Sequence, residues 1–559
     1  MKKHKRQLSQ LEKLQKKLDA RFGKGIYKAA IILFLFGSLS LVSCQPESSS
    51  SVQNTTTAPT TQPNPRVPPN AITITDTGQT ATLNERPTAP DAPEGDLERI
   101  TDVYFAKKVV QNNRVSFTPI DSAHVQNDAQ GQEIAYDSIL GKTVYLILET
   151  ENLEGQQLDV VLRSSNAQMN EDNDTMQLMF FNETNRTMQP ARIKRTRVGN
   201  TDALLPRPGV QMPYTDANLQ EFRNTAIIKL QLRPQTRERF NEWAQALGDG
   251  TANLEVLVER FPNAPCAYGD GTEEVDTAGV FLNDDTARFR VANRNFYEIY
   301  HGENAYNFLP MNGNNRRRIA KLENTQSNQV AYFYYDQHDN EHWVCEAEKH
   351  SFIQLGNGQI SNRNNPRGNE QPVSTIDYTP YRAAGEDINA TTSYTYRDGT
   401  VVTTGNYRNR LYILYPPLNQ TSFLLSMPEL NINQAGGITI MYSFRNTRRR
   451  FCQPDFFAVF IGGLAQTGFT NVTSGGSAFG DGSCYPSVAH NNGNAIDFGY
   501  LAHNNHQTLI NALYDYGFNR FLIGCNMRYT HGTPDCGSAI HDDHTHADRI
   551  RQGSIESII

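Results

Sequence analysis

The chain has 559 residues, which is more than one hydrophobic core usually organises, so its length predicts several domains. Its formal net charge is −7 at pH 7. Residues 1–43 carry ten basic and two acidic side chains, so the chain after them has a net charge of −15. This acidic balance argues against nucleic acid as a partner.

The N-terminus has the features of an export signal. A basic segment runs into the apolar stretch AAIILFLFGSLSLV at residues 29–42, which is too short for a comfortable membrane-spanning helix. The sequence that ends in Ser43-Cys44 resembles a bacterial lipobox, which implies lipid attachment at Cys44. We therefore expect residues 1–43 to be a lipoprotein signal peptide, with an uncleaved anchor or an ordinary signal peptide as the alternative. The expected location is the bacterial cell envelope, lipid-anchored to a membrane and facing the periplasm or the exterior.

Residues 44–95 are rich in Ser, Thr, Pro and Gln and contain almost nothing to bury. This composition predicts a disordered tether. A flexible coil of this length has an end-to-end distance on the order of 40 Å, enough to lift a folded part off a membrane surface.

Two β-rich regions are predicted next. Residues 96–260 contain alternating runs such as KTVYLILETENL (142–153) and TAIIKLQLRP (225–234), which are typical of an all-β, immunoglobulin-like sandwich, with one helix near 236–247. Residues 261–393 contain the runs FYEIY (296–300) and VAYFYY (330–335), which predict further strands. Neither region contains a catalytic constellation, so both are expected to be spacers or binding modules whose protein partner is unknown.

Residues 394–559 mix strands with helices. Predicted helices cover 456–468, with Asp455 as a candidate cap, and 504–516, which stops at Gly517. The run RFLIG at 520–524 predicts a core strand. An α+β domain built on an antiparallel sheet is therefore expected.

Six cysteines follow Cys44, and this even number in an exported chain predicts disulfides. Six cysteines allow 15 pairings. We expect three disulfides, joining Cys266 to Cys345, Cys452 to Cys484, and Cys525 to Cys536. A cysteine zinc site is the competing interpretation, but no Cys-x-x-Cys spacing supports it.

Histidines and acidic residues are concentrated in two segments of the C-terminal region, HNNGNAID (490–497) and HDDHTH (541–546). A catalytic zinc needs three protein ligands and one open position. One His and one Asp from the first segment with one His from the second would supply that set. Gly493 would let the chain turn between the first two ligands, and Ala495 would leave room beside them.

The pattern H-x-x-G-x-A-x-D followed by H-x-H resembles the D-alanyl-D-alanine carboxypeptidases and dipeptidases, the penicillin-insensitive murein endopeptidases and the related Hedgehog signalling domain. The resemblance covers roughly residues 450–550. It implies that His490, Asp497 and His546 bind Zn²⁺, while His544 lies beside the metal without binding it.

The resemblance leaves the base that activates water open between two residues. The carboxypeptidases have a Glu three residues before the last ligand, where this chain has the shorter Asp543. The murein endopeptidases lack that Glu and use the first His of H-x-H, which is His544 here. A strand over 542–546 would put Asp542, His544 and His546 on one face and Asp543 on the other. Asp543 and His544 are therefore both candidate catalytic residues.

Other basic side chains in this region have a simpler interpretation. His503 and His506 are spaced i, i+3 and could chelate, although surface histidines at a helix start are commoner. The run Arg448-Arg449-Arg450 could orient a substrate carboxylate, although a solvated charge run is commoner.

The expected function is a zinc metallopeptidase that cleaves peptidoglycan peptides, as an endopeptidase or a carboxypeptidase. The alternatives are a zinc-stabilised binding domain without hydrolytic activity, on an exported lipoprotein, and a secreted toxin or effector that attacks a competitor's wall.

Overall fold

A computed structural model describes residues 97–559 and two strands that precede them. The gaps within 97–559 are 121–126, 128–130, 132, 172–173, 207–211, 263, 284–287, 303–308, 311–315, 358, 363–373, 378–391, 396–397, 405–410, 416, 435–436, 485–486, 488 and 538. The predicted signal peptide and Cys44 lie outside the described residues. Most of the predicted tether does so too, but within it the strands β1 (Ile72–Asp76) and β2 (Gln79–Leu83) pair as an antiparallel hairpin.

The region up to residue 292 is built almost entirely of strands. They are β3 (Arg99–Gln111), β4 (Arg114–Pro119), β5 (Ser138–Ile139), β6 (Thr143–Glu151), β7 (Gln157–Ser164), β8 (Leu178–Asn182), β9 (Thr187–Ala191), β10 (Ile193–Arg197), β11 (Thr225–Gln231), β12 (Thr251–Phe261), β13 (Ala267–Tyr268), β14 (Gly279–Phe281) and β15 (Phe289–Ala292). Two helices join them, α1 (Asp216–Leu219) and α2 (Arg237–Leu247).

These strands form two facing sheets. One has the order β10-β7-β12-β15-β5 with β14 on β12, and the other has the order β13-β3-β6-β11-β8-β9 with β4 on β3. Alternate residues of β6 and β7, such as Leu146 and Val160, are fully buried in one core between the sheets. Phe240 and Trp243 of α2 extend that core. The β-rich prediction is confirmed for this part, while the immunoglobulin-like topology stays a prediction.

Further strands occupy the region from residue 295 onward. They are β16 (Asn295–Tyr300), β17 (Leu309–Pro310), β18 (Arg316–Arg317), β19 (Ile319–Leu322), β20 (Gln329–Tyr335), β21 (Glu341–Leu355), β22 (Gln359–Asn362), β23 (Ser374–Asp377), β24 (Thr392–Thr395), β25 (Val401–Thr404), β26 (Leu411–Tyr415), β27 (Pro417–Ser426), β28 (Leu430–Asn433), β29 (Thr439–Phe444), β30 (Phe451–Cys452), β31 (Thr473–Gly476), β32 (Ala495–Gly499), β33 (Phe518–Ile523), β34 (Gly532–Pro534), β35 (His544–Ile550) and β36 (Ile555–Ser557). Two long helices, α3 (Pro454–Thr467) and α4 (His503–Tyr516), interrupt them.

A middle sheet with the order β30-β27-β21-β20-β16-β19-β36 crosses the boundary predicted at residues 393/394. Its strand β36 pairs in parallel with β19, so the C-terminal residues complete a sheet that begins at residue 295. Strand alternation gives the sheet two buried faces: Phe296 packs into the sandwich core, and Tyr297 packs into a second core with α3 and α4.

A buried charge network joins the sandwich to the middle sheet. Lys142, which precedes β6, contacts Glu298 at 3.1 Å and Glu341 at 2.6 Å. Its ammonium also lies 3.9 Å from the ring centroid of Phe333. A buried ammonium is tolerated only with such partners, so these contacts fix how the two parts pack.

The C-terminal sheet has the order β28-β29-β31-β32-β35-β33-β34. The expected antiparallel sheet is mixed, because β29 pairs with β31 and β33 with β34 in parallel, while the other neighbours pair antiparallel. One face of this sheet packs on α3 and α4 through residues such as Ile496 and Phe498. The opposite face carries Asp497 and His546, which are directly opposite each other across β32 and β35.

All six cysteines after Cys44 are present as thiols in this structure, without the expected disulfides. One expected pair is separated by the packing: Cys266 is part of the sandwich core, whereas Cys345 lies in the core beneath α3. Cys525 and Cys536 are neighbours in hydrogen-bond contact. Among the described residues, no helix has the length and apolar character that crossing a membrane requires.

Candidate metal centre

Three side chains predicted as ligands converge on one buried point. His490 Nε2 lies 2.9 Å from Asp497 Oδ1, and His546 Nδ1 lies 2.8 Å from that nitrogen and 3.2 Å from that oxygen. Their side chains are at most 5% exposed. Tetrahedral ligands of zinc lie about 3.3 Å apart, because each is 2.0–2.1 Å from the ion. The three atoms therefore already have nearly the mutual spacing that a bound zinc ion requires.

The first ligand is held on a tight loop. His490 precedes a 3-10 turn over Asn491–Gly493, and Gly493 has a φ of +66°. A side chain at Gly493 would also approach the Cα of Cys452 to 2.7 Å. Glycine is required there for both reasons, which confirms the predicted turn between His490 and Asp497.

Two asparagines fasten this loop to the end of the long strand β21. Asn492 accepts from the backbone N–H of Leu355 at 2.7 Å and donates to its carbonyl at 2.7 Å, so its amide acts like a strand partner. Asn491 donates to the carbonyls of Leu355 and Gly356. The loop that carries His490 is thus positioned by residues more than a hundred positions earlier in the chain.

Burial and neighbouring charges set the protonation of the ligands. Burial lowers the pKa of His490 to about 4, which keeps this imidazole neutral. Burial opposes ionisation of Asp497, but the imidazoles of His490 and His544 hold the pKa of this carboxyl well below its usual range. Burial also disfavours charge on His546, but the carboxylates of Asp497 and Asp548 outweigh it and raise its pKa to about 9. With this raised pKa, His546 carries a second ring proton at neutral pH. A cation bound to Nδ1 would replace the proton on that nitrogen.

Charged residues behind the ligands orient them. His546 Nε2 lies 3.4 Å from Asp548 Oδ2. Asp548 is held by Arg520, whose Nε donates to Asp548 Oδ1 at 2.6 Å. Arg449 donates to Asp497 Oδ2 at 3.4 Å, leaving Oδ1 for the ligand cluster. Carboxylates behind ligating histidines are typical of metal sites. The run at Arg448 to Arg450 is therefore not simply solvated, because its central residue contacts a candidate ligand.

The two candidate bases interact with each other. Strand β35 starts at His544, so Asp542 and Asp543 precede it and strand parity applies only to His544 and His546. Asp543 Oδ1 lies 2.7 Å from His544 Nδ1, and its other oxygen is 3.2 Å from Arg445. His544 Nε2 faces the ligand cluster, 3.6 Å from Asp497 Oδ1. Asp543 is mostly exposed and contacts the cluster only through His544.

A buried histidine that the sequence analysis interpreted as a surface residue supports β35. His506 of α4 is fully buried, so its interpretation as a surface residue is wrong. Its Nδ1 accepts from the backbone N–H of Leu501 at 3.3 Å, which leaves Nε2–H to donate to Thr545 Oγ1 at 2.7 Å. Thr545 lies between His544 and His546, so His506 fixes the strand that carries both. The spacing of His503 and His506 was visible in the sequence. The hydrogen bond from His506 to Thr545 was not, because the two residues are far apart in the chain.

No protein-family model matches the chain, and no curated protein matches it. Among solved structures, the chain is similar to the crystal structure of the CupB6 tip adhesin from Pseudomonas aeruginosa, with 9% sequence identity. The similarity covers 59% of this chain and 94% of that chain, with a TM-score of 0.16. So low a TM-score carries no argument about fold or function.

Proposed function

We propose that this protein is a zinc-dependent hydrolase that cleaves peptide bonds in peptidoglycan stem peptides or cross-links. The observation that carries the proposal is the convergence of His490 Nε2, Asp497 Oδ1 and His546 Nδ1 within 3.2 Å of one another in a buried site. Two imidazoles and one carboxylate form a ligand set typical of catalytic zinc, which keeps a further position open for water or substrate.

The donor set fits Zn²⁺ in both chemistry and environment. With a divalent cation bound, His490 and His546 would be neutral and Asp497 would be anionic. The site would then keep one net positive charge. His490 Nδ1 is buried without a hydrogen-bond partner among the described residues, so Nε2 is its nitrogen at the cluster. When bound, zinc supplies an acidified water and a polarised substrate carbonyl.

His544 is the residue best placed to move a proton. Its Nδ1 faces the Asp543 carboxylate at 2.7 Å, which favours the tautomer with hydrogen on Nδ1 and leaves the Nε2 lone pair toward the cluster. In this role Nε2 accepts the proton of the attacking water and returns it to the leaving amine. Asp543 orients the ring and stabilises its charged form, so it is a positioning residue.

The peptidoglycan substrate follows from the resemblance of HNNGNAID and HDDHTH to the carboxypeptidases and murein endopeptidases, and from the expected export on a lipid anchor at Cys44. The same resemblance is the basis for regarding residues 394–559 as an α+β zinc-peptidase domain. The β-rich parts would then hold or present this site, since the middle sheet anchors its first loop through Asn492.

The proposal is tested with the purified full chain, by measuring bound zinc by mass spectrometry and the muropeptides released from peptidoglycan. His490→Ala and His546→Ala should each abolish zinc retention and release of fragments. His338→Ala, at an exposed histidine, is the matched control and should leave both unchanged. A His546→Ala protein that retains activity at the wild-type rate would remove this site from consideration.

The choice of base is tested separately. His544→Ala should lower kcat by about 10²- to 10⁴-fold while zinc is retained, because only proton transfer is lost. Asp543→Asn should lower it less, since the imidazole stays in place. A greater loss in Asp543→Asn than in His544→Ala would assign the base to Asp543.

A zinc-stabilised domain without hydrolytic activity is the second candidate, and the exposed, Arg445-paired position of Asp543 favours it, because this candidate base contacts the cluster only through His544. Fragments that appear with zinc and disappear with a chelator support the enzyme. Bound zinc without fragments supports the binding domain. A wall-degrading effector would be found in recipient cells instead of on the envelope of its own cell.

A further inference from the structure

A cavity of about 200 Å³ lies where helix α3 begins, between that helix and the middle sheet. It is separate from the metal ligands, which project from the opposite face of the C-terminal sheet. Its lining includes Asn295, Glu323, Lys349, Phe423, Gln453 and Asp455. The volume is well above that needed for one water molecule and suits a small organic molecule.

Lys349 gives this cavity a buried positive charge. The residue is 6% exposed, and its ammonium donates to Asn295 Oδ1 at 3.0 Å. Asn295 is itself fixed, because its amide nitrogen donates to two backbone carbonyls. Among the described residues, no carboxylate lies within ion-pair distance of Lys349, so its ammonium has no charged partner there and its hydrogen bond goes to a neutral amide. Burial lowers the pKa of Lys349, as expected for a desolvated ammonium.

The two acids of the cavity are held by a different lysine. Lys321 lies 2.9 Å from Asp455 Oδ1 and 3.2 Å from Glu323 Oε1. Asp455 also accepts from the hydroxyl of Tyr297 at 2.6 Å. Glu323 is the less committed of the two, since half of its side chain is exposed and its charge still acts on Lys349 across the cavity. The cavity therefore presents an ammonium and a carboxylate that do not pair with each other.

The remaining walls suit an anion beside an apolar group. The 14-residue helix α3 starts at this cavity. Gln453 occupies the N-cap position, but its side chain does not bond to the first turn of the helix and donates to the carbonyl of Asn492 instead. The N-terminal end of a helix favours negative charge. The ring of Phe423, partly exposed, lies 4.7 Å from the Lys349 ammonium and offers an apolar surface next to it.

We propose that this cavity binds a free α-amino acid or a short peptide, with the ligand carboxylate on the Lys349 ammonium and the ligand ammonium on Glu323. A molecule with both charges can contact both groups at once, whereas a simple anion would contact Lys349 alone. The proposal does not depend on the metal centre. Gln453 lines the cavity and also holds the loop of His490, so an occupied cavity would adjoin the metal loop without contacting the metal.

The test is isothermal titration calorimetry of the full chain with three probes: alanine, alanyl-alanine and alaninamide, which lacks the carboxylate. Alanine or alanyl-alanine should bind saturably, and alaninamide about tenfold more weakly or not at all, because a charge-assisted hydrogen bond is lost. Lys349→Met should weaken binding by a similar factor. Lys194→Met, at a lysine paired with Glu183 in the sandwich, is the control and should bind as the wild type does.

Folding of the variant is checked by thermal melting without ligand. Methionine is nearly as long as lysine and carries no charge that must be desolvated, so Lys349→Met should melt no lower than the wild type. Ser422→Phe, which narrows the cavity without touching Lys349, is the second variant and should also weaken binding. Absence of saturable binding of alanine and alanyl-alanine by the wild type, or binding that is unchanged in both variants, would overturn the proposal.

Discussion

The buried network around Lys142 predicts how stability depends on pH. Burial raises the pKa of the Glu341 carboxyl, but Lys142 and Lys107 outweigh it and lower the pKa from 4.5 to about 2. A carboxyl with a lowered folded-state pKa stabilises the fold above its unfolded pKa, and this contribution is lost as the pH falls toward its folded value. The relevant window is therefore pH 4.5 down to pH 2.

The perturbation is Glu341→Gln, which removes the charge and keeps the shape. Lowering this pKa from 4.5 to about 2 corresponds to about 3 kcal/mol at pH 7. About 1 kcal/mol of this contribution remains at pH 3, and almost none remains at pH 2. The variant should thus be about 3 kcal/mol less stable than the wild type at neutral pH and nearly equal to it at pH 2.

The measurement is denaturant unfolding of both proteins at several pH values, extrapolated to water. Glu221→Gln is the matched control, because Glu221 contacts Arg114 at 2.6 Å on the surface with about half of its side chain exposed. An exposed pair contributes about 0–1 kcal/mol. The reasoning is refuted if Glu341→Gln costs no more than the control at pH 7, or if its cost stays the same at pH 3.

Three further outcomes are expected. Asp548→Asn should weaken metal binding by about 10- to 100-fold in chelator competition, because the last ligand loses its carboxylate partner, whereas Asp515→Asn on α4 should change nothing. Gly493→Ala should lower both the unfolding free energy and metal retention more than Gly553→Ala, where the φ is also positive but no atom lies within 4 Å; equal losses would assign the effect to the backbone alone. His506→Leu should cost about 1–3 kcal/mol in denaturant unfolding, since a buried hydroxyl loses its partner, and no measurable loss would refute that role.

The parts of the site that are local in sequence could be predicted. His490, Gly493 and Asp497 lie within eight residues, so spacing, turn chemistry and strand parity apply directly. The predicted helix ends also lie close to the observed ones. Helix α3 was predicted to start at Phe456, and it starts at Pro454. Asp455 was expected as its cap but binds Lys321 instead, because a tertiary partner outweighed the local preference.

The parts that depend on distant contacts could not be predicted. The hydrogen bonds of Asn492 to Leu355 and of His506 to Thr545 join residues far apart in the chain, and polar residues of these types are ordinary at turns and helix starts. The pairing of the cysteines could not be predicted for the same reason, since an even cysteine count says nothing about which thiols lie next to each other.

The pairing of β36 with β19 makes the order of synthesis matter. Strand β19 is translated long before β36, so the middle sheet keeps one edge unpaired until the C-terminal strand emerges. An unpaired strand edge is a template for association with other chains. Nascent molecules are therefore exposed to intermolecular pairing from the synthesis of β19 until β36 emerges, and a chaperone that shields Ile319–Leu322 would raise the yield of folded protein.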